Sequence, residues 1–251
     1  MTQSNREQLR RNQAAQAKQQ RLTRIIGVGA GVLVVVLIGV FIGVLVQNQA
    51  RTATTSSATP PNATSAKDGI VILPGKAKAG APVVELFFDY QCPNCKKFEG
   101  AYGASLKSLA EAGEIALHYR NMTFLDNNLN NDASLRAGIG AACSDFAGKY
   151  SEFHDQIFAN QPAKEGDGYS DDVLRDSIPA AVGISGADLT TFQACYKNQT
   201  TKAWVSGSNE AAAKDGVNST PSVRVNGKDL PLQTIGGVAP AGLGDLIKQN
   251  A

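Results

Sequence analysis

Two cysteines separated by two residues, Cys92-Pro93-Asn94-Cys95, stand where an apolar run gives way to a helix start. The run from Pro82 to Tyr90 (PVVELFFDY) reads as a buried strand, mostly apolar and β-rich. Pro93 follows where its ring suits the first helical turn, and the predicted helix runs to about Ala112 and stops at Gly113. At such a junction the two sulfurs can close a small ring. The first thiol also lies over unpaired backbone N–H groups, where the helix dipole favours a thiolate. A stabilised thiolate leaves readily, which makes the disulfide a better oxidant. The pattern therefore predicts an exposed, nucleophilic Cys92 and a buried Cys95 one turn in that resolves it. Half a zinc site and an inert bridge are the competing readings. Zinc would want a second close pair of ligands, and Cys143 and Cys195 each stand alone in helical contexts.

The charge is unevenly spread. Residues 1–24 hold six Lys/Arg against Glu7 alone, 6 − 1 = +5, whereas the chain from Asp68 onward holds 16 Lys/Arg and 21 Asp/Glu, 16 − 21 = −5. An acidic folded part argues against nucleic-acid binding, which normally shows a basic face. From Ile25 to Val46 there are 22 residues with no charge and no side-chain amide, long enough to span a bilayer core. With the basic residues placed before it, the segment reads as a single-pass anchor that leaves residues 1–24 in the cytoplasm and residues 68–251 outside. A cleaved signal peptide would carry a shorter apolar region and a small-x-small site after it. Between anchor and domain, 15 of the 21 residues in 47–67 are Ala, Ser, Thr or Pro, the composition of a flexible linker.

Beyond the motif, Gly69 to Leu73 and Ile115 to Arg120 read as strands, and about 131–214 is helical, punctuated by glycines. Ser185 with Asp188 three residues on looks like a capping box for the helix holding Cys195. Ser222 to Asn226 and Leu230 to Leu232 suggest two strands around Gly227, and a helix from about Pro240 to Gln249 closes the chain. Strand, helix, strand, helical block, two strands, helix is an α/β sandwich with a helical insertion.

The run from Phe87 to Lys96 (FFDYQCPNCK) resembles the active-site segment of DsbA-like proteins, and Thr220-Pro221 followed by Ser222 to Gly227 resembles the cis-proline loop of the thioredoxin superfamily. Tyr150 to Ala159 (YSEFHDQIFA) is similar to a helix common in the DsbA insertion, and 129 residues from Cys92 to Pro221 leave room for one. The resemblance covers about Asp68 to Ala251 and is nearest to the membrane-anchored actinobacterial type. It implies a thioredoxin fold with a helical insertion at about 131–214. It also implies a dithiol oxidase in which Cys92 is attacked, Cys95 resolves, Pro93 and Asn94 form the active-site dipeptide, and Thr220 and Pro221 bind client backbone. The implied partners are reduced exported proteins and a membrane quinone-linked oxidase, DsbB-like or vitamin K epoxide reductase-like. No cofactor, metal or nucleic acid is implied, and the protein is expected to be monomeric. A disulfide isomerase or reductase, or a tethered client-binding domain without catalysis, are the alternative functions.

Two positions depart from the family pattern. Many members place His next to the resolving cysteine; Asn94 stands there and offers only a neutral hydrogen bond, which predicts a weaker oxidant than the strongest DsbA proteins. The family's buried acid lies six residues before the first cysteine, where this chain has Leu86, with Glu85 one place earlier. Strand alternation turns Glu85 away from Cys95, so a surface or second-face carboxylate is expected there, with the family's proton relay as the rival role.

Cys143 and Cys195 are expected to form a structural disulfide between two helices, with free thiols or a second redox pair as rivals. Closing a loop of about 50 residues contributes roughly 4 kcal/mol in the chain-entropy model. His118 and His154 are read as packing or surface residues rather than bases, and Trp204 as core or interface packing.

Overall fold

A computed structural model describes residues 57–251. The basic tail 1–24, the predicted anchor 25–46 and residues 47–56 of the linker lie outside the described residues. Among the described residues no helix is long and apolar enough to cross a membrane.

Five strands form one sheet: β1 (Ile70–Ile72), β2 (Val83–Asp89), β3 (Ala116–Met122), β4 (Ser222–Val225) and β5 (Lys228–Leu230), in the order β1-β3-β2-β4-β5. Only β2 and β3 run parallel, in the register Val84↔Leu117 and Phe88↔Asn121. Their crossover is the helical run α1 (Pro93–Phe98), a π turn (Glu99–Gly103) and α2 (Ala104–Glu111), which packs back on the sheet. The predicted single helix is thus interrupted. The helices between β3 and β4 are α3 (Phe124–Leu129), α4 (Ala133–Ser144), α5 (Tyr150–Ala159), α6 (Ile178–Ala181), α7 (Gly186–Lys197) and α8 (Lys202–Lys214). The helical block therefore begins earlier than 131, with α3. After β5 come α9 (Leu232–Gly236) and α10 (Leu243–Gln249).

Alternation sorts the β2 side chains. Val84, Leu86, Phe88 and Tyr90 enter the main core with Leu106, Leu117, Tyr119, Phe153 and Ile157, while Phe87 joins Met122, Ala212 and Val217 in a second cluster. α5 buries Tyr150, Phe153, His154, Ile157 and Phe158, one face of a helix at 3.6-residue spacing.

Four local expectations are corrected. Residues 57–67, assigned to the linker on composition, pack on the domain. Asn62 donates from both N and Nδ2 to Asp145 at 2.8 Å, Ala63 bridges to Ile70, and Pro60 and Thr64 are buried. Backbone pairing and one carboxylate hold what composition alone reads as loose. Ser185 makes no capping bond with its side chain; Gly186 behind it turns the chain in at φ 58. The second strand of the terminal hairpin is Lys228–Leu230, and Leu232 already belongs to α9 because Pro231 ends the ladder. The last helix starts at Leu243, after a 3₁₀ turn at Pro240–Gly242.

On the second face, Arg120 is 4% exposed and paired with Glu85, with Asp68 at 3.0 Å and with Asp215 at 3.3 Å, its guanidinium 4.9 Å from the Phe87 ring centre. It joins β2, β3, the segment before β1 and the end of α8. Removing it strands carboxylates whose partner was buried, so Arg120→Met should lower the unfolding free energy by about 3 kcal/mol. Urea denaturation reads this; a loss within 0.5 kcal/mol, roughly what a surface site costs, would show the cluster to be dispensable.

Candidate active site

Pro93 opens α1, and Cys92 occupies the N-cap position with φ −73 and ψ 117, outside the helical region. A side chain there lies over the first free N–H groups of the helix. The sulfur makes no capping bond as a thiol, but the Cys95 and Asn94 N–H groups are placed to receive a thiolate. Cys95 lies in the first turn, 1% exposed. Both are free thiols here. The hydrogen bond from the Cys95 thiol contributes most, and backbone donors and Thr220 add to it, bringing Cys92 down to about 6 against the opposing effect of burial. Burial, then the neighbouring Cys92, holds Cys95 well above the usual cysteine value. Two thiols of one motif are thus driven apart by their surroundings, one poised to ionise and the other to stay protonated.

The Thr220–Pro221 peptide is cis and lies directly against the motif: Cys92 Sγ donates to the Thr220 carbonyl at 3.4 Å. That cover leaves Cys92 only 7% exposed, which corrects the expectation of an exposed sulfur. Asn94 is exposed, and its contribution to Cys92 comes from its backbone N–H. Cys143 and Cys195 are joined, with S–S 1.98 Å, and tie α4 to α7 away from the motif.

Several residues that the motif alone does not flag surround the loop. Gln91 Nε2 reaches Asp126 (2.8 Å), Asn131 (2.9 Å) and Ser134 (3.0 Å), all in the helical block. Tyr169 Oη donates to the Tyr90 carbonyl at 2.6 Å, and Gln161 Nε2 donates to the carbonyls of Tyr90 (2.8 Å) and Cys92 (3.0 Å). Asp89 is fully buried, accepting from Ser134 Oγ at 2.5 Å and from the Gln91 and Leu125 amides. Burial raises its carboxyl to about 7 against those donors. His154 is fully buried, between the Tyr90 hydroxyl (3.1 Å) and Glu99 (3.1 Å). Glu99 follows Cys95 by four residues, a helical spacing visible in the sequence, but only the fold brings His154 to it. His118 is half-buried on β3, kept below its usual pKa by that burial, and Glu85 sits on the face opposite Cys95, bound to Arg120. Among the described residues no group of three or more His, Cys, Asp or Glu is placed to hold a metal ion.

A profile described as "Thioredoxin" matches residues 67–244, most of the chain. The chain belongs to the thioredoxin family. Within it the chain is a DsbA-like thiol–disulfide oxidoreductase. Among curated relatives, the "Probable disulfide bond formation protein D" of Bacillus cereus is 28% identical over 155 residues, covering 61% of this chain and 68% of that protein. The crystal structure of reduced DsbA from Mycobacterium tuberculosis is 25% identical with a TM-score of 0.59, covering 73% of this chain and 92% of that one. The Actinomyces oris MdbA structure has a TM-score of 0.64 at 20% identity, covering 76% and 92%; at that identity it speaks for the fold alone.

Proposed function

We propose that the chain donates disulfide bonds to exported proteins during oxidative folding, through Cys92 as the attacked sulfur and Cys95 as the resolving one. A client thiolate attacks Cys92 Sγ of the Cys92–Cys95 disulfide, and the electron pair leaves to Cys95, which takes up a proton. A second client thiolate then attacks the client sulfur of the mixed disulfide. The client gains a disulfide and Cys92 departs as a thiolate. Thr220 and Pro221 hold the client backbone beside the sulfur, and Pro93 and Asn94 shape the helix start. The observation that carries the reading is the contrast between the two sulfurs, with Cys92 near 6 and Cys95 high. A leaving Cys92 thiolate that is stable at neutral pH favours the reduced enzyme, hence donation.

The wider setting belongs to the same proposal. Residues 25–46 anchor the chain with residues 1–24 in the cytoplasm, and the catalytic domain works outside as a monomer. A quinone-linked membrane oxidase, DsbB-like or vitamin K epoxide reductase-like, restores the disulfide. The uncharged apolar segment supports the anchor, and the name of the Bacillus relative supports disulfide formation as the activity. The test is to mix the oxidised full chain with a reduced, unfolded exported protein and follow loss of client thiols. Stoichiometric oxidation of client with matching reduction of the chain is expected. Client thiols that persist, with the Cys92–Cys95 pair still oxidised, would sink donation.

A further inference from the structure

Gln161 follows α5 directly and touches the active-site loop at three points. Its side-chain amide spans the Tyr90 and Cys92 carbonyls, and its own carbonyl accepts from Lys96 Nζ at 3.1 Å. It is nearly buried, at 9% exposure. Neither loop carbonyl depends on that amide for a partner. The Tyr90 carbonyl already has the Tyr169 hydroxyl, and the Cys92 carbonyl already accepts from the Cys95 and Lys96 amides at 3.1 and 3.3 Å. What the amide adds is geometric. One rigid group bonded to two carbonyls that flank Gln91 fixes two peptide planes, and with them the extended ψ of 117 at Cys92. That angle decides where the sulfur points. Were Cys92 to relax to helical φ/ψ, it would become an ordinary first-turn residue, and its side chain would leave the N–H groups it now overlies.

We infer that Gln161 is a positioning residue for Cys92, by which the helical block holds the sulfur over its backbone donors. This rests on the reading of Cys92 as the reactive thiol. The bracket joins residues 69 positions apart, so the insertion, and not the motif alone, sets the reactivity of the site. The other titratable or charged groups around the loop are Cys95 and Lys96 on α1, Asp89 with its carboxyl turned to Ser134, and Tyr169 on the Tyr90 carbonyl. Cys95 and Lys96 reach the Cys92 carbonyl through their backbone amides from the helix side, and none of these groups bridges it to the Tyr90 carbonyl as Gln161 does.

The test is the pH profile of the reduced full chain reacting with one equivalent of an aromatic disulfide, together with thiolate absorbance. Wild type should titrate near 6. Gln161→Met, close in size and without a donor, should move the midpoint up, slowing the first thiol at pH 6 by about tenfold and converging on wild type at high pH. Tyr169→Phe removes a bond to the Tyr90 carbonyl only, and should leave the midpoint in place. Should Gln161→Met not fold, Gln161→Asn keeps the amide but not the span and is read in the same way. A midpoint unchanged in the Gln161 variants, with only thermal stability lowered, would overturn the inference, as would an equal shift in Tyr169→Phe. If Cys92→Ser retains the low-midpoint thiolate, the assignment of Cys92 itself fails, a result separate from the fate of Gln161.

Discussion

Cys92→Ser should abolish transfer of disulfides to a reduced client completely, leaving the uncatalysed background. A serine oxygen can form no disulfide, and no other sulfur in the chain can stand in. Cys95 is 1% exposed and held protonated by burial, so a client cannot reach it and it offers no thiolate. The Cys143–Cys195 bridge is 1% and 9% exposed and ties α4 to α7, its sulfurs against the Thr201 and Thr200 hydroxyls. Cys95→Ser should behave differently. Its Cys92 keeps the backbone donors and Thr220, so it should still attack disulfides but remain caught in long-lived mixed disulfides. Client oxidation followed with a thiol reagent, and gel shifts for the trapped species, separate the two variants. Retained turnover in Cys92→Ser would move the chemistry elsewhere.

Stability of the oxidised chain should fall as pH rises from about 4 to about 7, and Asp89 should be the chief cause. Its carboxyl is fully buried, and burial raises it from 3.8 to about 7 even though Ser134, Gln91 and Leu125 all donate to it. The nearby Asp126 carboxylate adds to the rise. A carboxyl whose folded value lies above its unfolded value is protonated preferentially in the fold. Its contribution is fully present below the unfolded value and is lost as pH climbs through the folded one. A shift of about three units corresponds to at most about 4 kcal/mol. Asp126 and Asp145, also raised by burial, act in the same sense; His118, lowered by burial, acts in the opposite sense as pH rises toward about 6.5. Asp89→Asn isolates the group and should flatten most of the slope. Urea denaturation at several pH values measures it, and using the oxidised form removes the titration of Cys92. A wild-type slope that survives in Asp89→Asn would assign the effect to other groups.

The parts of the fold legible in the sequence were those with one dominant local cause. The apolar β2 run, Pro93 at the helix start and the Thr220–Pro221 loop each announce their structure through composition or a backbone constraint. Strand alternation alone turns Glu85 away from Cys95, and it pairs on that face with Arg120. What stayed hidden depends on contacts between distant segments. Gln161, Tyr169 and Gln91 look like ordinary loop residues until the helical block folds over the active site. His154 reads as packing because its helix is amphipathic, and its bonds to Tyr90 and Glu99 exist only once α5 lies on the sheet. Residues 57–67 read as a linker because small and polar residues usually signal one; backbone pairing beside β1 and the buried Asp145 carboxylate hold them down instead. The low exposure of Cys92 has the same origin, since the covering Thr220 lies 128 residues away.

The account turns on the direction in which electrons flow, and the reduction potential of the Cys92–Cys95 pair decides it. The full chain would be equilibrated in a glutathione series and the dithiol fraction read by alkylation, with Cys92→Ala as the control for Cys143 and Cys195. A stabilised Cys92 thiolate predicts a potential of about −220 mV or higher, at or above the glutathione pool. A value near thioredoxin's, about −270 mV or lower, would make the chain a reductase and contradict disulfide donation.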